Sequence, residues 1–413
     1  MNLMNSEDLL LEGRWLQSKI LFKNKKMIMI GKFIDWYLGW FVRYLWSRDS
    51  KIDVNKVLFI SFNKQYTCNP KYICRELIKQ DVNHKIDIVW LTNNDKYVSN
   101  TPCPARVRQV CIGTAEAYKE IMTSKIVVQN AHLSQEYGYL PKMSGQYYFQ
   151  TWHGSLGFKR FDAKSDSNKK RVKAAIRAGK HTDFFLSNST FESKNVAPVF
   201  WKNAQLIESG HARNDILINF NADCVNSIKQ RLSIEKNTRV ILYAPTYRDN
   251  KSIEHFKIDF NEIIDAAKEK YGGSWVVLVK LHYSNRQNAK EIADNKNVIN
   301  VSRYPDIQEL MLISDIGITD YSSWILDYLL MLRPAFIYAE DIEDYEVERG
   351  FYYPLSSAPF PVARNSKELA TNIIGFDYDS YKTKAKSFLS EKGCMETGNA
   401  SKAATEKILE LMD

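Results

Sequence analysis

Four short stretches put polar, reactive side chains where an apolar run stops. The first is TWHGS at 151–155. Its His153 has the side chain best suited to take a proton near pH 7, and Gly154 lets a backbone approach a ligand closely. A histidine that only caps a turn is the plain alternative. The second is APTYR at 244–248, where Pro245 turns the chain and Thr246 and Arg248 project from the loop. Arginine can hold two phosphate oxygens at once, though a solvated surface arginine would read the same way. The third is KLH at 280–282. At a strand end Lys280 and His282 share a face, which suits an anionic substrate or simply a sheet edge. The fourth is IGITDYSS at 316–323, read as strand, tight loop and helix start. Asp320, Ser322 and Ser323 sit at N-cap positions, where free N–H groups attract phosphate. Capping alone would also account for them.

Charge gathers beside the first stretch. Residues 159–180 hold nine Lys/Arg and two Asp, a net of +7, while the whole chain carries only +9. Lys159, Arg160, Lys169, Lys170, Arg171 and Lys173 therefore form a candidate docking surface for a polyanionic acceptor or anionic lipid head groups. A solvated helix face is the bland reading. Nucleic acid is disfavoured, because no helix-turn-helix, zinc finger or RNP-type signature is present. The six cysteines form no Cys-x-x-Cys, and their scatter suits reduced thiols. None of the four stretches carries Asp-x-Asp, so dependence on a divalent metal is left open.

The elements that must position these residues come next. A chain of 413 residues, 45% hydrophobic, is long enough for two domains. Strand-like runs at 57–62, 86–91, 106–110, 125–129, 147–151 and 184–187 form one series. A second runs through 204–208, 240–244, 275–280, 298–301, 316–319 and 335–338. Helical patterns lie between them, at 70–80, 215–232, 260–271, 305–314 and 324–332, and the tail from 366 to 413 is helical. Such alternation predicts an α/β protein of two doubly wound parallel sheets, with ligands in the crevice outside the C-terminal strand ends. The expected division is 1–50, 51–203 and 204–413.

Residues 27–46 are aromatic and aliphatic, a length that could cross a bilayer core of about 30 Å. Lys32, Asp35 and Arg43 make spanning costly. With Gly39 they fall on one helical stripe, so the segment reads as an amphipathic helix lying in the membrane interface. A signal peptide does not fit, since no small-residue cleavage site follows.

Taken in order, TWHGS (151–155), GHARND (210–215), ILYAPTYRDN (241–250), VKLH (279–282), ITDYSSWILDY (318–328), LRPAFIY (332–338) and RGFYYPL (349–355) resemble the CDP-glycerol glycerophosphotransferase family, the primases and polymerases of teichoic acid and related capsular polymers. The resemblance implies a GT-B-like fold, two Rossmann-type domains across a cleft, with the donor on the C-terminal one. It implies transfer of a polyol phosphate, glycerol phosphate first, from a CDP-activated donor to a hydroxyl of a lipid-linked acceptor, releasing CMP. It also implies peripheral attachment at the cytoplasmic face of a bacterial membrane. His153 matches the family's essential His-Gly histidine, the base. His282 matches the second histidine, which stabilises the donor phosphates. Arg248, Asp320, Ser322 and Ser323 match the motifs lining those phosphates, and Thr246 lies in the same APTYR loop.

Two positions depart from the family pattern. Ser155-Leu156-Gly157 stands where Thr-Pro is frequent, and His211 stands where Tyr or a similar residue is usual. Both bear on which polyol and acceptor are used. The competing expectations are a GT-B glycosyltransferase using a nucleotide sugar and a membrane-bound scaffold with a degenerate site.

Overall fold

Short apolar runs buried on both faces belong to parallel strands covered by helices, and the chain builds two such sheets. The structure is a computed structural model that describes residues 50–62, 64–93, 103–130, 141–157, 159–160, 169–246, 258–281, 296–342 and 350–413. The expected interfacial helix at 27–46 lies outside the described residues, as do Arg248 and His282.

The first sheet comprises β1 (Asp53–Ile60), β2 (Asp87–Thr92), β3 (Arg108–Cys111), β4 (Ser124–Gln129), β5 (Tyr147–Gln150), β6 (Phe184–Ser187) and β7 (Gln205–Glu208). Their order is β3-β2-β1-β4-β5-β6-β7, with every pairing parallel. The second comprises β8 (Arg239–Tyr243), β9 (Trp275–Val279), β10 (Val298–Asn300), β11 (Ile316–Thr319), β12 (Ala335–Tyr338) and β13 (Val362–Ala363). It is ordered β10-β9-β8-β11-β12-β13 and is again all parallel. In each sheet the strand order reverses once, between β1 and β4 and between β8 and β11. Crevices for ligands open at such points, outside the carboxyl ends of the strands. This is an α/β fold of GT-B type.

Three expectations change. The run at 204–208 does not open the second series: β7 pairs with β6 through Phe184–Gln205 to Ser187–Glu208 and forms the edge of the first sheet. The expected boundary between 203 and 204 therefore cuts through that sheet. The tail packs on the second sheet as far as Phe388, but its last helix does not. Helix Ala400–Glu410 lays Ala404 and Ile408 into the cluster that holds Phe149 and Phe184 of the first. Asp215 fixes its start by accepting from the backbone N–H of Ala400 and Ser401. Finally, the pattern at 215–232 breaks into Asp215–Ile218 and Ala222–Arg231, because the Asn221 side chain accepts from Cys224 N and caps a new helix.

A buried ion cluster ties the sheets together. Lys71 on helix Cys68–Gln80 is 1% exposed, and its Nζ lies 2.5 Å from Asp306 and 2.8 Å from Glu309. Burial alone would push the Lys71 pKa down, but the two carboxylates outweigh it and the net direction is up. Asp306 also caps helix Ile307–Ile313 and accepts from the Tyr72 hydroxyl.

Candidate active site

His153 sits in the loop after β5, beside the reversal point of the first sheet. Its backbone is held unusually firmly. Asn69, at the start of helix Cys68–Gln80, donates to the carbonyls of Thr151 (2.6 Å) and Trp152 (3.1 Å). Trp152 adopts φ 51°, a left-handed conformation that costs a bulky residue about 1–2 kcal/mol and persists only where neighbours impose it. A Cβ on Gly154 would lie 2.5 Å from the Trp152 indole nitrogen, so position 154 must be glycine for the indole to fold back there.

The imidazole is oriented by one bond. His153 Nδ1 lies 2.7 Å from the carbonyl oxygen of Asn130, the residue after β4. Phe62 and Trp152 flank the ring, with centroids at 5.1 and 4.7 Å. Asn130 also accepts from Phe62 N through its side chain, so one residue sets both the base and a ring beside it. Loss of hydration between the cleft walls disfavours the charged imidazole and pushes the His153 pKa down to about 4. The bond to Asn130 opposes this, while Arg213 and His211 add to it. One side of the ring stays exposed to the cleft, and the water there tempers the depression. The direction alone keeps His153 neutral at pH 7.

The second sheet faces His153 across a cavity of about 380 Å³. Thr246 follows β8, Lys280 follows β9, Ser302 and Tyr304 follow β10, and Ser322 and Ser323 follow β11; all line the cavity with Phe62, His153, Lys159 and Arg213. Helix Trp324–Tyr328 has Ser323 at its N-cap without a side-chain capping bond. Capping therefore does not consume this hydroxyl, which removes the plain alternative for Ser323. Helix Trp324–Tyr328 is also shorter than the pattern at 324–332, passing into a 3-10 turn at Leu329–Met331 and ending with Leu332 at φ 53°.

Two candidate residues stand elsewhere than expected. Asp320 is buried and does not line the cavity: its Oδ1 accepts from the N–H of Thr246 (2.8 Å) and of Tyr321. It aligns the two loops that carry the hydroxyls, and an anionic carboxylate is better placed there than against phosphate. Lys159, expected on the docking surface, points into the cleft instead, with Nζ 3.4 Å from Thr246 Oγ1. A backbone bridge from Lys159 to Phe351, with Arg160 N donating to Gly350 O, turns it inward. Arg160 and Lys173 are exposed. Lys169, Lys170 and Arg171 belong to helix Lys169–Gly179, whose Val172 and Ala175 are buried with Phe185 and Trp201. The side chains of 169–171 lie outside the described residues.

Asn130, Asn69 and Arg213 do not stand out in the sequence. Only the position of Arg213 inside GHARND hints at a role; nothing marks Asn130 or Asn69, which reach the site only through folding. Among the described residues, His211, Asp327 and Glu396 form one cluster that could hold a metal, with ligand atoms within 4.8 Å of one another. Their carboxylates are already engaged: Asp327 by Arg213 and Asn214, Glu396 by Asn214 and by the His211 N–H. The cluster behaves as a hydrogen-bonded brace beneath the cleft.

Residues 41–410 match the sequence profile of the CDP-Glycerol:Poly(glycerophosphate) glycerophosphotransferase family. The chain is 31% identical over 376 residues to a teichoic acid poly(glycerol phosphate) polymerase of Staphylococcus epidermidis, covering 86% of this chain and 51% of that one. It is 28% identical over 407 residues to the corresponding polymerase of Bacillus spizizenii, covering 95% and 100%. The chain thus spans about half the length of the first relative and all of the second. A histidine variant of the wall teichoic acid polymerase TagF, solved after soaking with CDPG, superposes with a TM-score of 0.79 at 26% identity, covering 94% of this chain and 96% of that one. With its cleft, its ordered motifs and a profile match over nearly its whole length, the chain belongs to the CDP-glycerol:poly(glycerophosphate) glycerophosphotransferase family.

Proposed function

We propose that the protein transfers glycerol phosphate from CDP-glycerol to a hydroxyl of a lipid-linked polymer or glycan, releasing CMP. The observation that carries this reading is the orientation of His153. A carbonyl oxygen can only accept, so the bond to Asn130 puts the proton on Nδ1 and leaves Nε2 with its lone pair. A neutral imidazole facing a cleft can take the proton of an attacking hydroxyl.

The acceptor oxygen bonds to the β-phosphorus as its proton passes to His153. The bond from that phosphorus to the bridging oxygen breaks, and CMP departs with the electron pair. Charge on the phosphate oxygens is met by Lys280, Thr246, Ser322 and Ser323 from the opposite wall, by Lys159, which also lines the cavity, and by Arg248 and His282. Preset donors of this kind stabilise a developing charge without reorganising. Leu281, the neighbour of His282 in the chain, lines the cavity. The polymerases named above support glycerol phosphate as the transferred group and a growing polymer as acceptor. The basic helix Lys169–Gly179 and residues 27–46 support attachment to an anionic membrane surface; among the described residues no helix is long and apolar enough to cross a membrane.

The test is product analysis with CDP-glycerol, CDP-ribitol and UDP-sugars on a defined lipid-linked primer. CMP release that depends on CDP-glycerol and primer supports the reading. A nucleoside diphosphate released from a UDP-sugar would replace it with glycosyl transfer. Loss of CMP release in His153→Ala and His282→Ala is expected, and full activity in both would remove the assigned roles.

A further inference from the structure

Arg213 is 3% exposed yet lines the cleft. It comes from the turn after β7, the edge of the first sheet, and reaches both halves of the site. Its Nε and Nη2 lie 3.0 and 2.9 Å from Oδ2 of Asp327 on helix Trp324–Tyr328, the helix that Ser323 begins as N-cap. The same Nη2 donates to the carbonyl of Gly154, and Nη1 lies 3.7 Å from Cys68 Sγ. Its backbone N–H donates to Asn69 Oδ1 at 3.0 Å. Asn69 in turn holds the carbonyls of Thr151 and Trp152. The carbonyls on either side of His153 are therefore all held by one connected pair, Asn69 and Arg213, and that pair is anchored on the opposite sheet through Asp327.

We propose that Arg213 is a positioning residue that fixes the distance and angle between the base His153 and the phosphate-facing hydroxyls of Ser322 and Ser323. The guanidinium is suited to this because its rigid fork serves two acceptors in set directions. A lysine carries the same charge on a flexible stem and cannot hold both. In-line attack tolerates little misplacement: an error near 1 Å can cost about 100-fold. Arg213 itself touches neither the acceptor hydroxyl nor the transferred phosphate in this scheme.

The kinetic part rests on the phosphate-transfer reading; a second measurement does not. The first variant is Arg213→Lys. Its expected kcat for CMP release is at least tenfold below that of the unaltered protein, with the KM for CDP-glycerol within threefold, since the donor-facing groups are untouched. A folded R213K with unchanged kcat overturns the inference, as does one whose loss falls in KM alone. The second measurement is exchange of the His153 Nδ1–H proton with water, followed by NMR without substrates. Exchange at least tenfold faster in R213K is expected, because the loop presenting the ring to Asn130 loosens. Should the unaltered protein release no CMP from CDP-glycerol, the reaction assignment fails and the exchange rate decides, an unchanged rate overturning the inference. Should R213K fail to fold, Arg213→Ala combined with Asp327→Ala removes both members of the buried pair together, with the same two outcomes expected.

Discussion

His153 Nδ1 lies 2.7 Å from the backbone carbonyl of Asn130, and this places the ring's lone pair on Nε2. The partner is main chain, so no substitution at position 130 deletes it. The tautomer is fixed by the pairing of β4 with β5, whose Gln129–Gln150 register sets the two loops side by side.

Replacing His153 by Gln keeps size and polarity but removes the base. General-base contributions are of the order of 10²- to 10⁴-fold, so kcat for CMP release should fall by about that factor. Binding of CDP-glycerol, measured by calorimetry, should change less than about threefold. A variant that retains a tenth or more of the activity would show that another group takes the proton.

The pH profile follows from the direction in which the His153 pKa moves. Loss of hydration in the cleft pushes it down from 6.5 toward about 4, less far where the ring meets water, so the neutral, basic form persists further into acid than in a free histidine. Activity should be present above the folded pKa and be lost as pH falls through it. The acid limb of kcat/KM, which reports the free enzyme, should therefore lie clearly below 6.5. A limb at 6.5 or above would contradict this environment.

Much of the arrangement can be read in the sequence. His153, Thr246, Ser322 and Ser323 stand at strand ends, where the parallel-sheet rule puts ligands, and they do converge on one cavity. Asp320 and Lys159 cannot be assigned that way. The direction of a side chain depends on tertiary pairing: Thr246 N captures Asp320, and the bridge to Phe351 turns Lys159 inward. The sheet that β7 joins is hidden for a similar reason, since an apolar run does not disclose which edge it will pair with. Asn69 is invisible in the sequence because its acceptors, the carbonyls of Thr151 and Trp152, are 82 and 83 residues away along the chain.

The hydroxyls of Ser322 and Ser323 should act on donor binding. Each neutral hydrogen bond to a substrate is worth about 0.5–1.5 kcal/mol, or roughly 2- to 13-fold. Ser322→Ala and Ser323→Ala should each raise the KM for CDP-glycerol by that amount, with the thermal midpoint nearly unchanged, since the Ser323 hydroxyl makes no cap to lose. A normal KM in the double substitution would place the donor phosphates elsewhere in the cleft.

Glu396 gives a pH dependence of stability with a definite sign. Burial pushes its carboxyl up to about 7; Asp327 adds to this, while His211 and the Asn214 bond partly offset it. The folded pKa thus lies above the unfolded value of about 4.3, so the folded protein binds the extra proton between those limits. Stability must fall as pH rises from about 4.5 to 7 and level off above. A tenfold difference in proton affinity between the folded and unfolded chain is worth about 1.4 kcal/mol. Glu396 is only partly enclosed, and a pH 5 to 8 comparison spans only part of the titration, so about 2 kcal/mol is expected rather than the full ~4. Glu396→Gln keeps a carbonyl oxygen for the His211 N–H and cannot ionise. Urea denaturation at pH 5 and pH 8 should show the unaltered protein losing about 2 kcal/mol more than E396Q over that range. Parallel losses in the two proteins would mean that Glu396 is already ionised at pH 5, and that the brace of His211, Asn214 and Asp327 carries a full negative charge beneath the cleft.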